Sequence, residues 1–553
     1  MDRVSQNTSA SLRESGAVKR LLLGSVAGLT VVAGAQAADL PVKKAAPVEY
    51  VRVCSAYGAG FFYIPGTDTC LRVGGRARFE ATYVQPLIRG DTTGYRGLGR
   101  LNLDARTQTG YGTLRAFVRF ELASRTGGFL KSGTQERIAN AFAATGVDTA
   151  ARVQQYVNVD KAFIQFAGLT AGRAASFFDF YAHDFEIIGV SLGSDTYSTN
   201  LLAYTATFGE GFSATISMED PNLRRTPVFG GGSTGFTGSQ AVSANFAPVL
   251  VTNAAGVPVS VTAADVIQRS RMPDFVGALR YDAAWGSAQL SAAVHEINAG
   301  NTSTLVGLTA AQTALLPATA NPAARPANAY GWAVQGGLKL NLPFIAAGDA
   351  LYLQGAYGEG AQTYTGYSAH NGSYTLTGSP APGLFNTYYA DAVVDPVTGQ
   401  LSLSTSWTVV ASYLHYWTPQ WRSAFYGSYG EMSYNKAARF NSALFGVNGL
   451  PSPTTAAGVA ALAISPVLRD TNQIVAGASL IWSPVKDLDI GVEGLYARSA
   501  VSSGRVINPN KASSATLASA GAAGGPSLAA VLATPTVVSQ DTFQVRMRVQ
   551  RDF

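Results

Sequence analysis

Charge is scarce in this chain, since Asp, Glu, Lys and Arg make up only 13% of its 553 residues. Long apolar runs are scarce as well, and no stretch after residue 40 supplies the roughly 20 mostly apolar residues of a transmembrane helix. The formal net charge is only +6, whereas nucleic-acid binding requires a strong, clustered basic patch. The composition therefore argues against a helical membrane bundle and against a nucleic-acid-binding protein.

Cysteine is limited to Cys54 and Cys70. Two cysteines with no nearby histidine fall short of the four ligands of a structural zinc site. An exported chain passes through an oxidising compartment, in which two thiols commonly pair. We therefore expect a disulfide between these two residues.

Signatures of catalysis are also lacking. The chain has neither a Gly-x-Ser-x-Gly nucleophile motif nor a Walker-type phosphate loop. Its four histidines are scattered without the spacing of metal ligands: His183, His295, His370 and His415. We expect no enzyme activity, no cofactor and no metal; the alternative is an enzyme whose Ser and His pair is brought together only by the fold.

The beginning of the chain has the composition of an export signal. Lys19 and Arg20 precede the apolar run Leu21–Val32, which small residues follow. This order predicts a signal peptide over residues 1–37, cleaved after Ala37. A membrane anchor is the alternative, which the shortness of the run disfavours. The remaining chain keeps 36 Lys and Arg against 32 Asp and Glu, a net charge of +4.

Glycine and aromatic residues are abundant, with 59 Gly, 25 Tyr and 26 Phe. The last eleven residues alternate between two sets, Phe543, Val545, Met547, Val549 and Phe553 against Gln544, Arg546, Arg548, Gln550 and Asp552. Such a strand has one apolar and one polar face, as in a β-barrel with lipid outside and water inside. A soluble β-sandwich also contains alternating strands, so this segment alone does not decide between them.

Alternation along the whole chain predicts sixteen strands, an even number that closes a barrel without a free edge. Their approximate ranges are 71–84, 97–108, 113–124, 155–167, 169–174, 198–208, 212–220, 270–283, 286–297, 328–341, 349–358, 403–417, 421–431, 470–483, 487–499 and 537–553.

Short and long connections alternate along this series. The short ones contain turn residues, such as Gly110-Tyr111-Gly112. The long ones are 125–154, 175–197, 221–269, 298–327, 359–402, 432–469 and 500–536. Outer-membrane barrels have short periplasmic turns and long extracellular loops. The sequence therefore predicts an all-β protein, a 16-stranded antiparallel transmembrane β-barrel over residues 71–553, with 38–70 as a periplasmic N-terminal segment.

Charged residues share one face in each of the first three strands and the last. An arginine that faces lipid at the bilayer midplane costs about 2 to 4 kcal/mol, so we expect this face to line the lumen. Pairing of the last strand with the first then places Arg546 and Arg548 beside Arg76 and Arg78. We name the whole set the arginine wall: Arg76, Arg78, Arg100, Arg106, Arg115, Arg119, Arg546 and Arg548.

A fixed positive field of this kind favours anions in a water-filled pore. The alternative is that these arginines are solvated lumen residues, neutralised by Glu80, Asp104 and Glu121.

Acidic residues collect in the segment 175–197. We name it the third loop, because the connections 85–96 and 125–154 precede it on the same side of the predicted barrel. Its acidic residues are Asp179, Asp184, Glu186 and Asp195, and its aromatic residues include Phe177, Phe178 and Phe180. Such a composition suits a loop that folds inward, packs its rings on the wall and directs carboxylates across the lumen towards the arginine wall. The alternatives are an ordinary surface loop and a latch between subunits.

Tyrosine and tryptophan cluster beside the short turns, as in the aromatic girdles that lie at the membrane interface. The alternative is packing within a core. The residues are Tyr413, Tyr416, Trp417, Trp421, Tyr426 and Trp482.

Four segments resemble the outer-membrane porins of alphaproteobacteria. They are Val53–Gly75 with both cysteines, Ala162–Gly168 leading to Ser176–Phe180, the turn Tyr416–Arg422, and the terminal Arg551–Phe553. The resemblance implies a sixteen-stranded trimeric porin for small hydrophilic solutes, with an inward-folded third loop. It also implies that Phe553 ends the signal read by the barrel-assembly machinery. The loops 221–269, 359–402 and 500–536 are long for the family, which leaves gating or binding by loops open.

We therefore expect a general diffusion porin with weak anion preference, set in outer-membrane lipid and lipopolysaccharide as a homotrimer. The alternatives are a solute-specific channel, and a surface adhesin or structural barrel that acts through its long loops. Solute specificity and trimer formation do not follow from periodicity.

Overall fold

The computed structural model describes part of the chain. The described ranges are 52–85, 92–127, 154–181, 185–188, 191–194, 198–226, 228, 246–252, 258–266, 268–300, 302–306, 327–367, 390–444, 455–464, 469–508 and 524–553. The predicted signal peptide, the first part of the segment 38–70, Asp184 and Asp195 lie outside these residues.

Sixteen antiparallel strands in the described ranges form one closed barrel, so the predicted fold class is confirmed. In chain order they are β1 (Cys70–Val84), β2 (Thr93–Thr109), β3 (Gly112–Gly127), β4 (Gln154–Phe166), β5 (Leu169–Ala174), β6 (Thr199–Phe208), β7 (Phe212–Glu219), β8 (Asp274–Ala283), β9 (Gly286–Ile297), β10 (Ala329–Asn341), β11 (Ala350–Glu359), β12 (Thr405–Thr418), β13 (Trp421–Ser433), β14 (Thr471–Val485), β15 (Leu488–Val501) and β16 (Ser539–Asp552). Each strand pairs with the next along the chain, and β16 pairs back with β1, which leaves no open edge.

The two faces of each strand meet different surroundings. In β16, Phe543 and Met547 on the outer face are 42% and 45% exposed, whereas Gln544 and Arg546 on the inner face are fully buried. A water-soluble protein has the opposite arrangement, with apolar side chains inside. The outer face therefore requires lipid.

Closure depends on close backbone contact between the two ends of the barrel. Gly75 of β1 and the terminal Phe553 exchange two backbone hydrogen bonds, of 2.8 and 3.0 Å. The ring of Phe553 covers Gly75, because a Cβ added to this glycine would lie 2.4 Å from the ring and 2.5 Å from the carbonyl oxygen of Arg100. Only glycine leaves room for the terminal ring here.

The turns on one rim are tight. Between β4 and β5 the chain reverses at Ala167 and Gly168, with φ angles of 48° and 87°. Two positive φ angles in succession give the two-residue turn whose twist matches that of paired strands. The opposite rim carries the long connections, as the sequence predicted.

The N-terminal segment is attached to the start of β1. The short strand Phe61–Tyr63 pairs with it, after a 3-10 turn at Ser55–Tyr57. The predicted disulfide between Cys54 and Cys70 is confirmed, with Cα atoms 5.9 Å apart.

The long connections contain short elements of their own. They are helices α1 (Gln362–Thr365), α2 (Lys436–Leu444), α3 (Ala456–Ala463) and α4 (Leu528–Leu532), a 3-10 turn (Pro221–Leu223), a three-stranded sheet (Phe246–Thr252, Pro258–Asp265, Thr302–Val306) and two strand pairs (Ala392–Val394 with Leu401–Leu403, Val506–Ile507 with Thr536–Val537). Among the described residues, no helix is long and apolar enough to cross a membrane.

Of the aromatic residues beside the short turns, three are exposed and one is buried inside the barrel. Trp417, Trp421 and Trp482 are exposed on the outer surface, where the rings of Trp421 and Trp482 stack with centroids 5.8 Å apart. Tyr426 was wrongly assigned to the girdle. It lies on the inner face of β13 and is buried, with its hydroxyl donating to Glu493 at 2.7 Å.

The contact of Phe553 with Gly75 gives a first prediction. We expect Gly75→Ala to weaken closure, by about 1 to 3 kcal/mol if the crowding resembles that of an overpacked core. The urea midpoint of unfolding, followed by tryptophan fluorescence, and the heat-modifiable mobility on SDS gels measure this. Gly99→Ala in β2 is the matched control, because no atom lies within 4 Å of an added Cβ. Equal midpoints for the two variants would show that the contact has no role in closure.

Candidate functional site

One buried carboxylate organises the barrel seam. Glu80 on β1 is fully buried and forms an ion pair with Arg96 of β2. From β16, Arg548 approaches it to 2.7 Å and Arg546 to 3.9 Å, and Arg78 of β1 lies at 4.0 Å. Four guanidinium groups from three strands therefore surround one carboxylate. We name these five residues the Glu80 cluster.

The remaining basic residues of this wall are paired more evenly. Asp104 binds both Arg106 and Arg115, at 2.8 and 2.9 Å. Arg100 donates to Glu121 at 2.8 Å, Arg119 to Asp160 at 3.2 Å, and Arg76 to Asp552 at 2.6 Å. The three predicted counter-ions Glu80, Asp104 and Glu121 are thus all in contact with arginines. Nine arginines still face only five carboxylates, an excess of four positive charges in this set.

The strand register differs from the one expected. Arg548 lies opposite Glu80 and Arg546 opposite Thr82, whereas Arg76 and Arg78 face Asp552 and Gln550. The four arginines of β1 and β16 therefore follow one another along the wall and are not side by side.

Arg96 belongs to this wall but was missed in the sequence. It precedes the predicted start of its strand at 97, while β2 begins at Thr93. Glycines at 94, 97 and 99 conceal the alternation there.

The third loop contacts the inner face of the barrel at both of its described halves. Near its start, the carbonyl oxygen of Phe178 accepts hydrogen bonds from Ser291 of β9 and Gln335 of β10, each 2.7 Å long. Gly337 of β10 leaves room for the ring of Phe180, which would lie 2.3 Å from an added Cβ. The described part of the loop therefore begins against β9 and β10.

The tip of the third loop lies against the opposite wall. The backbone N–H groups of Ile187 and Ile188 donate to Glu493 of β15, at 2.6 and 2.9 Å. Arg548 of β16 donates to the carbonyl oxygens of Glu186 and Ile187. Because both Glu493 and Arg548 hold backbone atoms, the tip is fixed to the seam itself.

Both described carboxylates of the loop have side-chain partners. Asp179 accepts from Arg224 at 2.7 Å and from Ser194 at 2.6 Å. Glu186 accepts from Ser412 of β12 at 3.1 Å and from the Tyr181 hydroxyl. Burial and the adjacent Glu186 carboxylate raise the pKa of Tyr181 well above its ordinary value, so this phenol stays a donor. These contacts hold the loop in shape, and Arg224 balances the charge of Asp179.

Chemically, the arrangement is a polar lumen with a fixed excess of positive charge on one side. The described residues contain no group of His, Cys, Asp and Glu that could hold a metal ion. An excess of arginine beside water acts on passing ions through its field.

The Glu80 cluster gives a second prediction. Removing one partner from a buried ion pair costs about 3 to 5 kcal/mol, so we expect Glu80→Gln to lower the free energy of unfolding by that order. Urea unfolding in detergent micelles measures the change. Asp282→Asn is the control, because its pair with Arg280 is exposed and such pairs contribute about 0 to 1 kcal/mol. If Glu80→Gln lowers the free energy of unfolding no more than the control does, the Glu80 cluster does not stabilise the barrel.

Known proteins resemble this chain across most of its length. A family model described as "Porin subfamily" matches residues 39–522. Porin Omp2b from Brucella neotomae is 34% identical over 365 residues, which cover 63% of this chain and 86% of that protein.

Solved channels align with it at low identity. The outer-membrane channel DcaP of Acinetobacter baumannii is 14% identical with a TM-score of 0.46, covering 89% of this chain and 99% of that chain. An anion-selective porin from Comamonas acidovorans is 11% identical with a TM-score of 0.38, covering 88% and 100%. On the extent of the family match, the chain belongs to the porin subfamily and forms a channel for diffusion across the outer membrane.

Proposed function

We propose that this porin admits small hydrophilic solutes with a weak preference for anions, and that the third loop narrows the pore opposite part of the arginine wall. The observation that carries the proposal is the imbalance within the set described above, in which nine arginines on β16, β1, β2 and β3 face five carboxylates. A fixed excess of one sign raises the local concentration of ions of the other sign.

The arginines of the wall differ in how far their side chains are exposed to the lumen. Arg106, Arg115 and Arg119 keep 25% to 28% of their side chains exposed, whereas Arg546 is fully buried. The exposed ones act on ions in the lumen. The buried ones stabilise the seam and hold the third loop, so the preference for anions is weak in spite of the many arginines.

A solute-specific channel is the second candidate. Phe117 and Phe163 stack on the inner face with ring centroids 5.3 Å apart. The guanidinium of Arg115 lies 5.1 and 5.5 Å from the two centroids, and that of Arg119 lies 5.5 Å from Phe117. Stacked rings beside cations suit a flat, anionic solute. Saturation of the current block by an aromatic carboxylate, with no block by acetate, would favour this function.

A homotrimer in contact with lipopolysaccharide, assembled by the barrel-assembly machinery through Phe553, is also part of the proposal. Its support is the family resemblance. Chemical cross-linking in intact outer membranes, resolved on SDS gels without heating, tests the trimer.

The anion preference gives a third prediction. We expect the double variant Arg106→Gln with Arg119→Gln to shift the reversal potential under a salt gradient towards cation preference. Both side chains are partly exposed. Asp104 keeps Arg115 as its partner and Asp160 keeps the hydroxyl of Ser198 as a donor, so we expect the barrel to remain folded. The measurement is single-channel recording in planar bilayers.

The control for this prediction replaces the same two arginines by lysine, which keeps the charge. We expect the reversal potential of that variant to stay near that of the parent. If the glutamine variant also keeps the parent value, the arginine wall does not set ion preference.

A further inference from the structure

A second loop enters the lumen besides the third. After β11, the chain from Gly360 to Tyr367 turns into the barrel, with helix α1 at its centre; we name residues 360–367 the inner insert. Every side chain from Ala361 to Thr365, and that of Tyr367, is at most 2% exposed. A loop that projected above the rim into solvent would leave more of its side chains exposed.

The insert lies along the inner faces of successive strands. Ala361 and Tyr364 pack with Val276 of β8, Ala293 of β9 and Ala333 of β10. An added Cβ on Gly358 of β11 would lie 3.0 Å from the methyl group of Thr365.

Beyond this point the insert continues across the lumen. The hydroxyl of Thr365 is 2.7 Å from that of Ser406 on β12. The ring of Tyr367 covers Gly430 of β13, and its hydroxyl lies 2.7 Å from that of Thr471 of β14. The insert thus occupies the lumen from β8 to β14, opposite the arginine wall.

The insert also supports the third loop from behind. The ring of Tyr364 meets that of Phe178 edge to face, with centroids 4.9 Å apart. At Gly366 the two backbones almost touch, because an added Cβ would lie 2.2 Å from the carbonyl oxygen of Leu192. Arg224 joins the two loops, since it pairs with Asp179 and lies 4.4 Å from the Tyr364 ring centroid.

Buried carboxylates hold the insert in place. Asp391 accepts hydrogen bonds from the backbone N–H groups of Gln362 and Thr226, both 2.9 Å long. Asp274 accepts from the Tyr364 hydroxyl at 2.7 Å. Burial and the neighbouring Asp274 carboxylate raise the pKa of Tyr364 well above its ordinary value, so the phenol remains a donor at neutral pH.

We propose that the inner insert, together with the third loop, sets the largest solute that the pore admits. It removes lumen volume beside β8–β14, and it keeps Leu192–Ser194 from moving back into that volume. This proposal rests on the proposed function, in which the third loop narrows the pore. A third loop without such support would swing towards the far wall and widen the passage.

The main test replaces Gly366 by alanine and measures two quantities. One is the single-channel conductance, and the other is the swelling of proteoliposomes in neutral sugars of increasing size. Gly504→Ala is the matched control: Gly366 and Gly504 have φ angles of +86° and +75°, so a side chain strains both, but at Gly504 the nearest atom is 4.0 Å away. The added Cβ would push Leu192 of the third loop away from the insert and into the remaining passage, so we expect a lower conductance and a smaller sugar limit for Gly366→Ala, with parent values for the control.

A second variant keeps the test decisive if Gly366→Ala fails to give a heat-modifiable barrel. It replaces residues 361–367 by an equally long Gly and Ser linker, which keeps the loop length and removes the insert's side chains. We expect the largest admitted sugar to increase. A folded linker variant with the parent size limit would overturn the proposal.

Charge and size measurements separate the two proposals. If the insert variants change the size limit while the Arg106 and Arg119 variant leaves the reversal potential unchanged, only the anion preference is refuted. If the reversal potential shifts but the size limit of the insert variants does not, only the role of the insert is refuted.

Discussion

The ion pairs of Glu80 close the barrel and also position the loop that crosses it. This carboxylate joins β1, β2 and β16, the strands at which the two ends of the chain meet. It neutralises only one of the four positive charges around it, and burial makes the remainder costly. Arg548 compensates part of that cost by donating to backbone carbonyl oxygens of the third loop. The same residue, Arg548, therefore takes part both in closing the barrel and in placing the third loop.

Glu493 provides the counterpart on the neighbouring strand. It accepts two backbone N–H groups of the third loop, and the hydroxyl of Tyr426 from β13. Arg548 and Glu493 thus bind opposite ends of the same two peptide groups, Arg548 at the two carbonyl oxygens and Glu493 at the two N–H groups. The tip of the loop is held through its backbone, so this contact does not depend on which side chains the tip carries.

The barrel was predictable because lipid and water demand opposite side chains on the two faces of every strand. The period of two is therefore clear in long strands such as β16, but it is weak in β5, which has only six residues. Where glycine replaces the outer side chains, as at 97 and 99, the signal is lost and the start of β2 was placed four residues late.

The partners within the site were less predictable. Asp179 finds Arg224 45 residues away, and Glu186 finds Ser412 226 residues away. No local pattern encodes such contacts, because they depend on how long loops fold within a closed wall. The register of β16 on β1 was misjudged for a related reason. Alternation determines which face a residue occupies, but not which residue of the neighbouring strand lies opposite it.

The inner face does carry one signal for loops that enter the lumen, and it is the size of its residues. Gly337, Gly358 and Gly430 lie on inner faces, and an added Cβ on any of them would lie within 3.0 Å of a third-loop or insert side chain. On the opposite side, the inner faces of β1, β2 and β3 carry arginines that need water or carboxylates around them. A wall of small residues accepts a dry, packed loop at little cost, whereas a wall of arginines does not, because burying each charge requires a partner. The division of the lumen into a filled side and a charged side therefore follows from the composition of its own wall.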